Sequence, residues 1–235
     1  MILMRNQNIA IIPARSGSKG LKNKNIMQFN GKPMLAWTIE AALKSGVFDK
    51  VMVSTDSEEY AAIAVKYGAE VPFLRKAETA SDTAGSWDVV REVLGTYEKE
   101  YGVTYETCCL LQPTSPLRTT EDIVGAYDLY EKKNARGVVA VCELEHSIKT
   151  CNSIPENGCL NGFFDSTVSG RRQDGETFYR INGAIYIQKA EDVINGINLY
   201  GNDSYAYVMS KQNSVDIDDE TDFICAEAIA KKARD

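Results

Sequence analysis

The chain has 235 residues, of which 44% are hydrophobic and 25% are charged, and its formal net charge is −7. These values are ordinary for a globular protein, and they allow one large α/β domain over residues 1–235. The single histidine excludes zinc sites built from several histidines, and the acidic balance argues against nucleic-acid binding. Without a bilayer-length apolar run or a signal-peptide pattern, we expect a cytoplasmic protein with no membrane partner.

Strand and helix patterns alternate along most of the chain. Short apolar runs predict strands at 8–14, 50–55, 107–112, 136–144, 181–187 and 205–210, and a weak strand at 69–74. Amphipathic periodicity with polar starts or closing glycines predicts helices at 31–46, 57–68, about 85–100, 119–134, 190–195 and 219–233. Alternating β and α units predict a doubly wound, mostly parallel sheet that binds ligands at the carboxyl ends of its strands.

Residues 145–178 interrupt this alternation. The segment is rich in glycine, asparagine and serine, and it is too long for a structureless loop inside a compact domain. We therefore predict a small inserted arm with some β structure, which serves as a flap over the site or as a contact with a second subunit.

The stretch IIPARSGSKGLKNKN joins the first predicted strand to a loop rich in glycine and cations. Gly17 and Gly20 permit positive φ and close approach of the backbone to an anion, while Arg15, Lys19 and Lys24 supply positive charge. So many cations suit a triphosphate better than a single phosphate. The loop matches neither G-x-x-x-x-G-K-[ST] nor G-x-G-x-x-G, so it indicates nucleoside-triphosphate binding of another type.

A second charged stretch, VDIDDETD, lies just before the last predicted helix. Asp216 and Asp218 are two residues apart, so in an extended segment both side chains face the same way. Two hard oxygen ligands on one face suit Mg²⁺, which completes its shell with water and phosphate oxygens. The other acids, Asp219, Glu220 and Asp222, are explained by the preference for anions at a helix N-terminus.

These two stretches and three others resemble, in order, the motifs of the acylneuraminate cytidylyltransferase family, which activates nine-carbon acidic sugars. The other matching stretches are FLRKAETASDTA, LLQPTSPLR and YRINGAIYI. Lys22 is a departure, since the family often has proline at that position. The resemblance implies a Rossmann-like nucleotidyltransferase fold and a Mg²⁺-dependent transfer of CMP from CTP to the anomeric hydroxyl of a 2-keto sugar acid, with release of pyrophosphate. The alternatives are transfer to another sugar acid or a sugar phosphate, and a non-catalytic nucleotide-binding module.

The resemblance also implies roles for individual residues. It implies that Arg15, Lys24 and Asp218 are catalytic and that Asp216 and Asp218 hold the metal. The residues expected at the nucleotide are Arg15, Gly17, Ser18, Lys19, Lys24, Asn25, Arg75, Ala84 and Ser86. The residues expected at the sugar are Gln112, Lys149, Arg172 and Tyr186.

Three of these assignments have a simpler alternative. Arg75 is equally well explained as an exposed cation at a strand end, Gln112 as a hydrogen-bond partner of the loop backbone, and Tyr186 as a core residue. Asp56 follows the second strand, and we interpret it as a loop or helix-start residue rather than a ligand.

Two further expectations follow from the resemblance. The family uses the inserted arm, here 145–178, to dimerise and to cover the neighbour's sugar site, so a homodimer is expected. Relatives specific for N-acetylneuraminate can place two aromatic residues against the acetamido methyl group, whereas the corresponding region here contains Leu199 and Tyr200. The acceptor therefore stays open between N-acetylneuraminate and a legionaminic or pseudaminic relative.

Overall fold

A computed structural model of the chain describes residues 4–17, 21–81, 83–161, 163 and 176–232. The strands are β1 (Met4–Pro13), β2 (Gln28–Phe29), β3 (Lys32–Pro33), β4 (Lys50–Ser54), β5 (Val103–Leu110), β6 (Gly137–Glu143), β7 (Tyr179–Lys189) and β8 (Ser204–Val208). The helices are α1 (Met34–Ser45), α2 (Glu58–Lys66), α3 (Ala77–Ala80), α4 (Ser86–Thr96), α5 (Thr120–Lys133), α6 (Ala190–Ile194) and α7 (Glu220–Lys232). A π-helical turn, Tyr97–Tyr101, extends α4.

Six strands form the main sheet in the order β4-β1-β5-β7-β6-β8. Strand β1 lies parallel to β4 and β5, and β6 lies parallel to β8. Strand β7 runs antiparallel to both of its neighbours, β5 and β6. The prediction of a doubly wound, mostly parallel sheet is therefore confirmed, with β7 as the reversed strand.

The side chains of β1 show why the sheet is covered on both faces. Ala10 and Ile12 point into a core cluster shared with α1, α2 and α5, whereas Ile9 and Ile11 point into a second cluster shared with α4 and α6. Successive side chains of a strand point to opposite faces, so a continuous apolar run needs a helix layer on each side. A third, smaller cluster joins β2, α1 and α7 and contains the fully buried Ile217.

Helix boundaries follow the capping signals in the sequence. Helix α1 begins after Pro33 and ends at Gly46, which has a φ of 67° in the left-handed region. The Ser57 hydroxyl accepts a hydrogen bond from the backbone N–H of Tyr60 and so caps α2. Asp222 accepts from the backbone N–H of Asp219 at the start of α7, as the helix-capping interpretation of these acids requires. Among the described residues, no helix has the length and apolar character needed to cross a membrane.

One sequence prediction is wrong, and the prediction of β structure in the inserted arm stays a prediction. Residues 69–74 do not form a strand, because only a single parallel bridge connects Glu70 to Met52 at the free edge of β4. The described part of the arm, 145–161 with 163 and 176–178, contains a 3-10 turn at Ile148–Thr150 and no strand. The rest of the predicted arm lies outside the described residues.

Replacing two glycines of the scaffold by alanine should change the free energy of unfolding in opposite directions. A Cβ on Gly137, at the start of β6, would collide with the buried side chain of Leu199 and approach the carbonyl oxygen of Ile187 to 3.1 Å. Gly137→Ala should therefore lower the free energy of unfolding by about 1–3 kcal/mol in urea titrations. A Cβ on Gly95 in α4 would meet no atom within 4 Å, so Gly95→Ala should raise the free energy of unfolding by about 0.5–1 kcal/mol. Equal effects of the two changes would contradict this account of Gly137.

Candidate active site

A polar cleft of about 290 Å³ lies at the carboxyl ends of β4, β1 and β5. This is the edge at which an open α/β sheet binds ligands. Nine of the residues predicted from the sequence line it: Arg15, Lys24, Asn25, Arg75, Ala84, Ser86, Gln112, Asp216 and Asp218. The fold thus gathers residues from four separate stretches of the chain in one place.

Lys24 joins the front of the chain to the acidic segment before α7. It begins a short 3-10 turn, Lys24–Ile26, after Asn23 in a left-handed conformation. Its Nζ donates to the carbonyl oxygen of Ile217 at 2.7 Å and lies 3.1 Å from Asp218 Oδ1. The Lys24 side chain is 13% exposed and that of Asp218 is 80% exposed, so the carboxylate remains open to the cleft.

Asp216 and Asp218 face the cleft because the residue between them is buried. Ile217 is 0% exposed, and its backbone N–H donates to the carbonyl oxygen of Thr114 at 2.8 Å. In this extended segment the flanking side chains point the other way, as the spacing predicts. Asp216 Oδ1 is itself buried and has no hydrogen-bond partner among the described residues.

The environment of Asp216 disfavours its charge. Burial raises the pKa of Asp216, and the neighbouring Asp218 carboxylate raises it further. A hydrogen bond with Thr114 and the positive charges of Lys24 and Arg180 act in the opposite direction. A buried carboxylate oxygen without a partner, beside a second carboxylate, is a site that a cation would stabilise.

The donor set fits a hard cation that keeps most of its shell for other ligands. Within the described part of the chain, no group of three or more His, Cys, Asp or Glu side chains converges. Asp216 and Asp218 would supply two carboxylates, and water and phosphate oxygens would supply the rest. This is the usual arrangement for Mg²⁺, whereas structural zinc sites use four protein ligands.

Two polar contacts hold the loop after β1. The Asn25 amide donates to the carbonyl oxygen of Arg15 at 3.3 Å, and its own Oδ1 is buried at the cleft without a partner among the described residues. Asp56 accepts from the backbone N–H of Ser16 at 2.8 Å and from the Ser16 hydroxyl at 3.0 Å. Asp56 is thus a loop residue, as predicted, and both of its oxygens hold the residue next to Arg15.

Arg75 is a buried cation in the wall of the cleft. Its side chain donates to the hydroxyl of Ser54 at 3.1 Å and to the carbonyl oxygen of Ser54 at 2.5 Å, at the end of β4. Burial lowers the pKa of Arg75 to about 10, and the nearby carboxylates of Asp56 and Glu92 partly offset this. With 8% exposure it is not the solvated strand-end cation of the alternative interpretation.

Gly183 allows two groups of the cleft to approach each other. It has a φ of 78°, and a Cβ there would lie 2.6 Å from Gln112 Oε1 and 3.3 Å from Asp216 Oδ2. Only glycine combines this backbone conformation with so close an approach. The Gln112 side chain therefore lies against β7 and close to Asp216, and it lines the cleft rather than turning away from it.

Other predicted residues lie elsewhere. Lys149 is exposed in the arm and does not line the cleft, and its Nζ lies 3.4 Å from Glu176 Oε2. Tyr186 packs edge-on against Trp87 in the second core cluster, and burial raises its pKa to about 12. Gly17 is exposed, does not line the cleft, and does not adopt the positive φ that the loop pattern suggested.

Three predicted ligands, Ser18, Lys19 and Arg172, lie outside the described residues. The sequence analysis missed Thr79, Ser81 and Thr114, which line the cleft as well. Thr114 lies inside the LLQPTSPLR stretch, so the motif contained the signal. Thr79 and Ser81 lie on the rim formed by α3 and the residue after it, where Glu92 accepts hydrogen bonds from the Thr79 hydroxyl and from the backbone of Lys76.

A comparison with solved structures defines the class of protein. The fold is similar to that of a CMP:2-keto-3-deoxy-manno-octonic acid synthetase complexed with CTP, with a TM-score of 0.71, 14% sequence identity, and coverage of 97% of this chain and 100% of that one. The chain therefore shares the α/β fold of that protein. A family profile described as cytidylyltransferase matches residues 9–212, and the chain belongs to this family.

Curated relatives agree with the family. The chain is 42% identical over 230 residues to an N-acylneuraminate cytidylyltransferase of Escherichia coli, and 39% identical over 218 residues to one of Streptococcus agalactiae. It covers 53% and 51% of these proteins, so it spans about half of their length, while the matches include 97% and 92% of this chain. It is also 35% identical to a CMP-N,N'-diacetyllegionaminic acid synthase of Legionella pneumophila, with 94% of this chain and 95% of the relative covered. The resemblance inferred from the motifs is therefore confirmed.

The contact between Asp56 and the front loop can be tested without a ligand. Asp56→Ala removes both acceptors of Ser16, so the backbone N–H of Ser16 should exchange with solvent about tenfold faster in NMR hydrogen exchange. Asp56→Asn is the matched control, because its amide can still accept from the backbone N–H and donate to the hydroxyl. Exchange at the wild-type rate in Asp56→Ala would contradict a holding role for this carboxylate.

Proposed function

We propose that this protein transfers CMP from CTP to the anomeric hydroxyl of a nine-carbon 2-keto sugar acid and releases pyrophosphate. The observation that carries the proposal is the meeting of the cationic front segment with the acidic pair, in which Lys24 Nζ lies 3.1 Å from Asp218 Oδ1. Membership in the cytidylyltransferase family supports cytidine as the base. The relatives named for acylneuraminate and diacetyllegionaminate support a nonulosonic acid as the acceptor.

The positive residues of the cleft bind and orient the triphosphate. Arg15 and Lys24 line one wall, and Lys19 belongs to the same loop. Their charges offset the negative charge that the phosphates bring into a partly desolvated site. Arg75 and Asn25 supply a buried cation and an unpaired amide oxygen, which are suited to the ribose and the base. The cations raise the local concentration of CTP even though the whole chain is acidic.

The reaction needs no covalent enzyme intermediate. The anomeric oxygen of the sugar attacks the α-phosphorus of CTP and forms a new P–O bond, while the bond from the α-phosphorus to the α,β-bridging oxygen breaks and pyrophosphate leaves. The hydroxyl proton passes to a base in the cleft, a carboxylate or a water molecule. Asp216 and Asp218 would hold Mg²⁺, which when bound neutralises phosphate charge and polarises the α-phosphate. Holding both reactants in line is then the main task of the protein.

The acceptor side of the cleft is formed around Gln112. This side chain lies beside Gly183 and Asp216, which brings it close to the metal-binding pair. Lys149, Arg172 and Tyr186 remain proposed sugar contacts. Leu199 and Tyr200 lie in the region that corresponds to the aromatic pair expected at the acetamido group. Leu199 is 4% exposed and Tyr200 is 57% exposed. Tyr200 alone of this pair is therefore available to a ligand.

We also propose a cytoplasmic homodimer that is assembled through the arm. Ile148, Ile154 and Leu160 are large apolar residues of the arm and are 56%, 68% and 63% exposed. Large apolar side chains that stay exposed within one segment would be buried if a partner covered that segment. Light scattering should give twice the chain mass, and Ile154→Asp combined with Leu160→Asp should shift it to the monomer. A monomeric wild-type protein would exclude the dimer.

The function is tested with purified protein, CTP, Mg²⁺ and a panel of sugar acids that includes N-acetylneuraminate, legionaminate, pseudaminate and an eight-carbon 2-keto acid. Pyrophosphate release and the mass of the product should identify a CMP-sugar for at least one nine-carbon acid, and chelation of the metal should abolish it. Product formation only with the eight-carbon acid or a sugar phosphate would replace the proposed acceptor. Tight CTP binding without turnover across the panel would indicate a binding module instead.

Lys24→Ala and Asp218→Ala should each lower kcat/KM by about a hundredfold or more while the protein stays folded. Because Asp218 is 80% exposed, their ion pair contributes at most about 1 kcal/mol to stability, so the loss is not caused by unfolding. Lys22→Ala removes an exposed cation of the same segment that does not line the cleft, and it is the matched control. Near-wild-type turnover of Lys24→Ala or Asp218→Ala would remove that residue from the mechanism.

A further inference from the structure

The loop after β5 contains a buried cation that the proposed reaction does not use. Arg118 is 3% exposed, forms no ion pair with any described residue, and has no hydrogen-bond partner for its Nε and Nη2 atoms among them. Its Nη1 donates to two carbonyl oxygens, that of Gln112 at 3.2 Å and that of Ala184 at 2.7 Å. Burial lowers the pKa of Arg118 to about 10, and the nearby carboxylate of Asp122, which does not contact the guanidinium, only partly offsets this.

A buried guanidinium without a carboxylate in contact is an unfavourable way to stabilise a fold. Removing a charge from water costs several kcal/mol, and well-packed apolar residues often replace buried charges without loss of stability. The two guanidinium nitrogens that lack acceptors, Nε and Nη2, add a further desolvation cost. A contribution to global stability is thus a poor explanation for Arg118, and its two carbonyl contacts indicate a local geometric role.

Those contacts lie at the point where two strands separate. The antiparallel ladder of β5 and β7 ends at the pair Leu110 and Tyr186. If the ladder continued in the same register, Gln112 would lie opposite Ala184, two residues beyond the last pair on each strand. Arg118 donates to the carbonyl oxygens of these two residues. Its guanidinium therefore replaces a ladder step and sets the distance between the segment after β5 and the middle of β7.

The two backbone segments that Arg118 connects form the acceptor side of the cleft. Gln112 lines the cleft, and its Oε1 lies against Gly183, the neighbour of Ala184. Asp216 Oδ2 approaches the same glycine. A change in the distance between β5 and β7 would move the Gln112 amide relative to Asp216, even though Arg118 itself does not line the cleft.

We propose that Arg118 is a positioning residue that holds the segment after β5 at a fixed distance from the middle of β7 and so fixes Gln112 for the acceptor. The proposal rests on the proposed function, because it concerns the sugar acid side of the cleft. Arg118 acts through backbone carbonyls and not by touching substrate. Lysine cannot replace Arg118, because its side chain is shorter and its ammonium group lacks the planar shape of a guanidinium held between two carbonyl oxygens.

The first test is a comparison of KM values. Arg118→Lys should raise the KM of the sugar acid about tenfold or more and change the KM of CTP less than twofold, because a displacement of about 1 Å is enough for such a loss. Arg118→Met, which removes the charge and both contacts, should have at least as large an effect. Arg136→Lys is the matched control, because Arg136 forms its ion pair with Asp192 away from the cleft.

A double-mutant cycle distinguishes positioning of Gln112 from general damage. In a Gln112→Ala background, Arg118→Lys should change the KM of the sugar acid less than twofold, since the side chain it positions is gone. Independent, multiplicative effects of the two changes would overturn the proposal. Parallel increases in both KM values, with a lowered melting temperature, would also overturn it and indicate an ordinary structural role.

A readout without substrate keeps the proposal separate from the proposed function. Amide hydrogen exchange measured by mass spectrometry should be faster in Arg118→Lys than in wild type in the segments 111–119 and 181–186, and unchanged in α1. Unchanged exchange in both segments would show that Arg118 does not hold these strands and would overturn the proposal. If wild type turns over none of the sugar acids, the proposed function fails, while this measurement still decides the role of Arg118.

Discussion

The geometry of the cleft depends on the burial of one side chain, that of Ile217. Its backbone N–H donates to Thr114 and its carbonyl oxygen accepts from Lys24, at 2.8 and 2.7 Å. These bonds join the loop after β5, the front turn and the segment before α7 at one residue. Because side chains alternate along an extended segment, the burial of Ile217 in the third core cluster also turns Asp216 and Asp218 toward the cleft. Packing thereby creates the acidic wall of the site.

The cleft contains polar groups that the folded chain leaves incompletely satisfied. Asn25 Oδ1 and Asp216 Oδ1 are buried without partners among the described residues, and Arg75 is a largely desolvated cation. Such groups are costly in a folded protein and are concentrated where a ligand completes their contacts. The cations and the acidic pair face the same space, so a triphosphate with a divalent cation would neutralise both walls. The local charge pattern, and not the net charge of the chain, determines what binds.

The points at which the sequence predictions fail or stop short have identifiable physical causes. Residues 69–74 have a strand-like composition, but Pro72 lacks an N–H and the segment forms only one bridge with β4. Arg75 follows this segment, and its buried side chain donates to Ser54 at the end of β4. No local sequence pattern predicts this contact. Tyr186 packs on Trp87, a contact between β7 and α4 that residue spacing along the chain does not reveal.

The sequence by itself determined the alternation of strands and helices, the cationic loop, the spacing of Asp216 and Asp218 and the family, because each is a local pattern of residue types. Only the tertiary structure decided which of these patterns meet. The contact of Lys24 with Asp218 spans nearly the whole chain, and the approach of Gln112 to Gly183 depends on where β5 and β7 separate. Such contacts are set by strand order and by the burial of neighbouring side chains, which residue spacing along the chain does not encode.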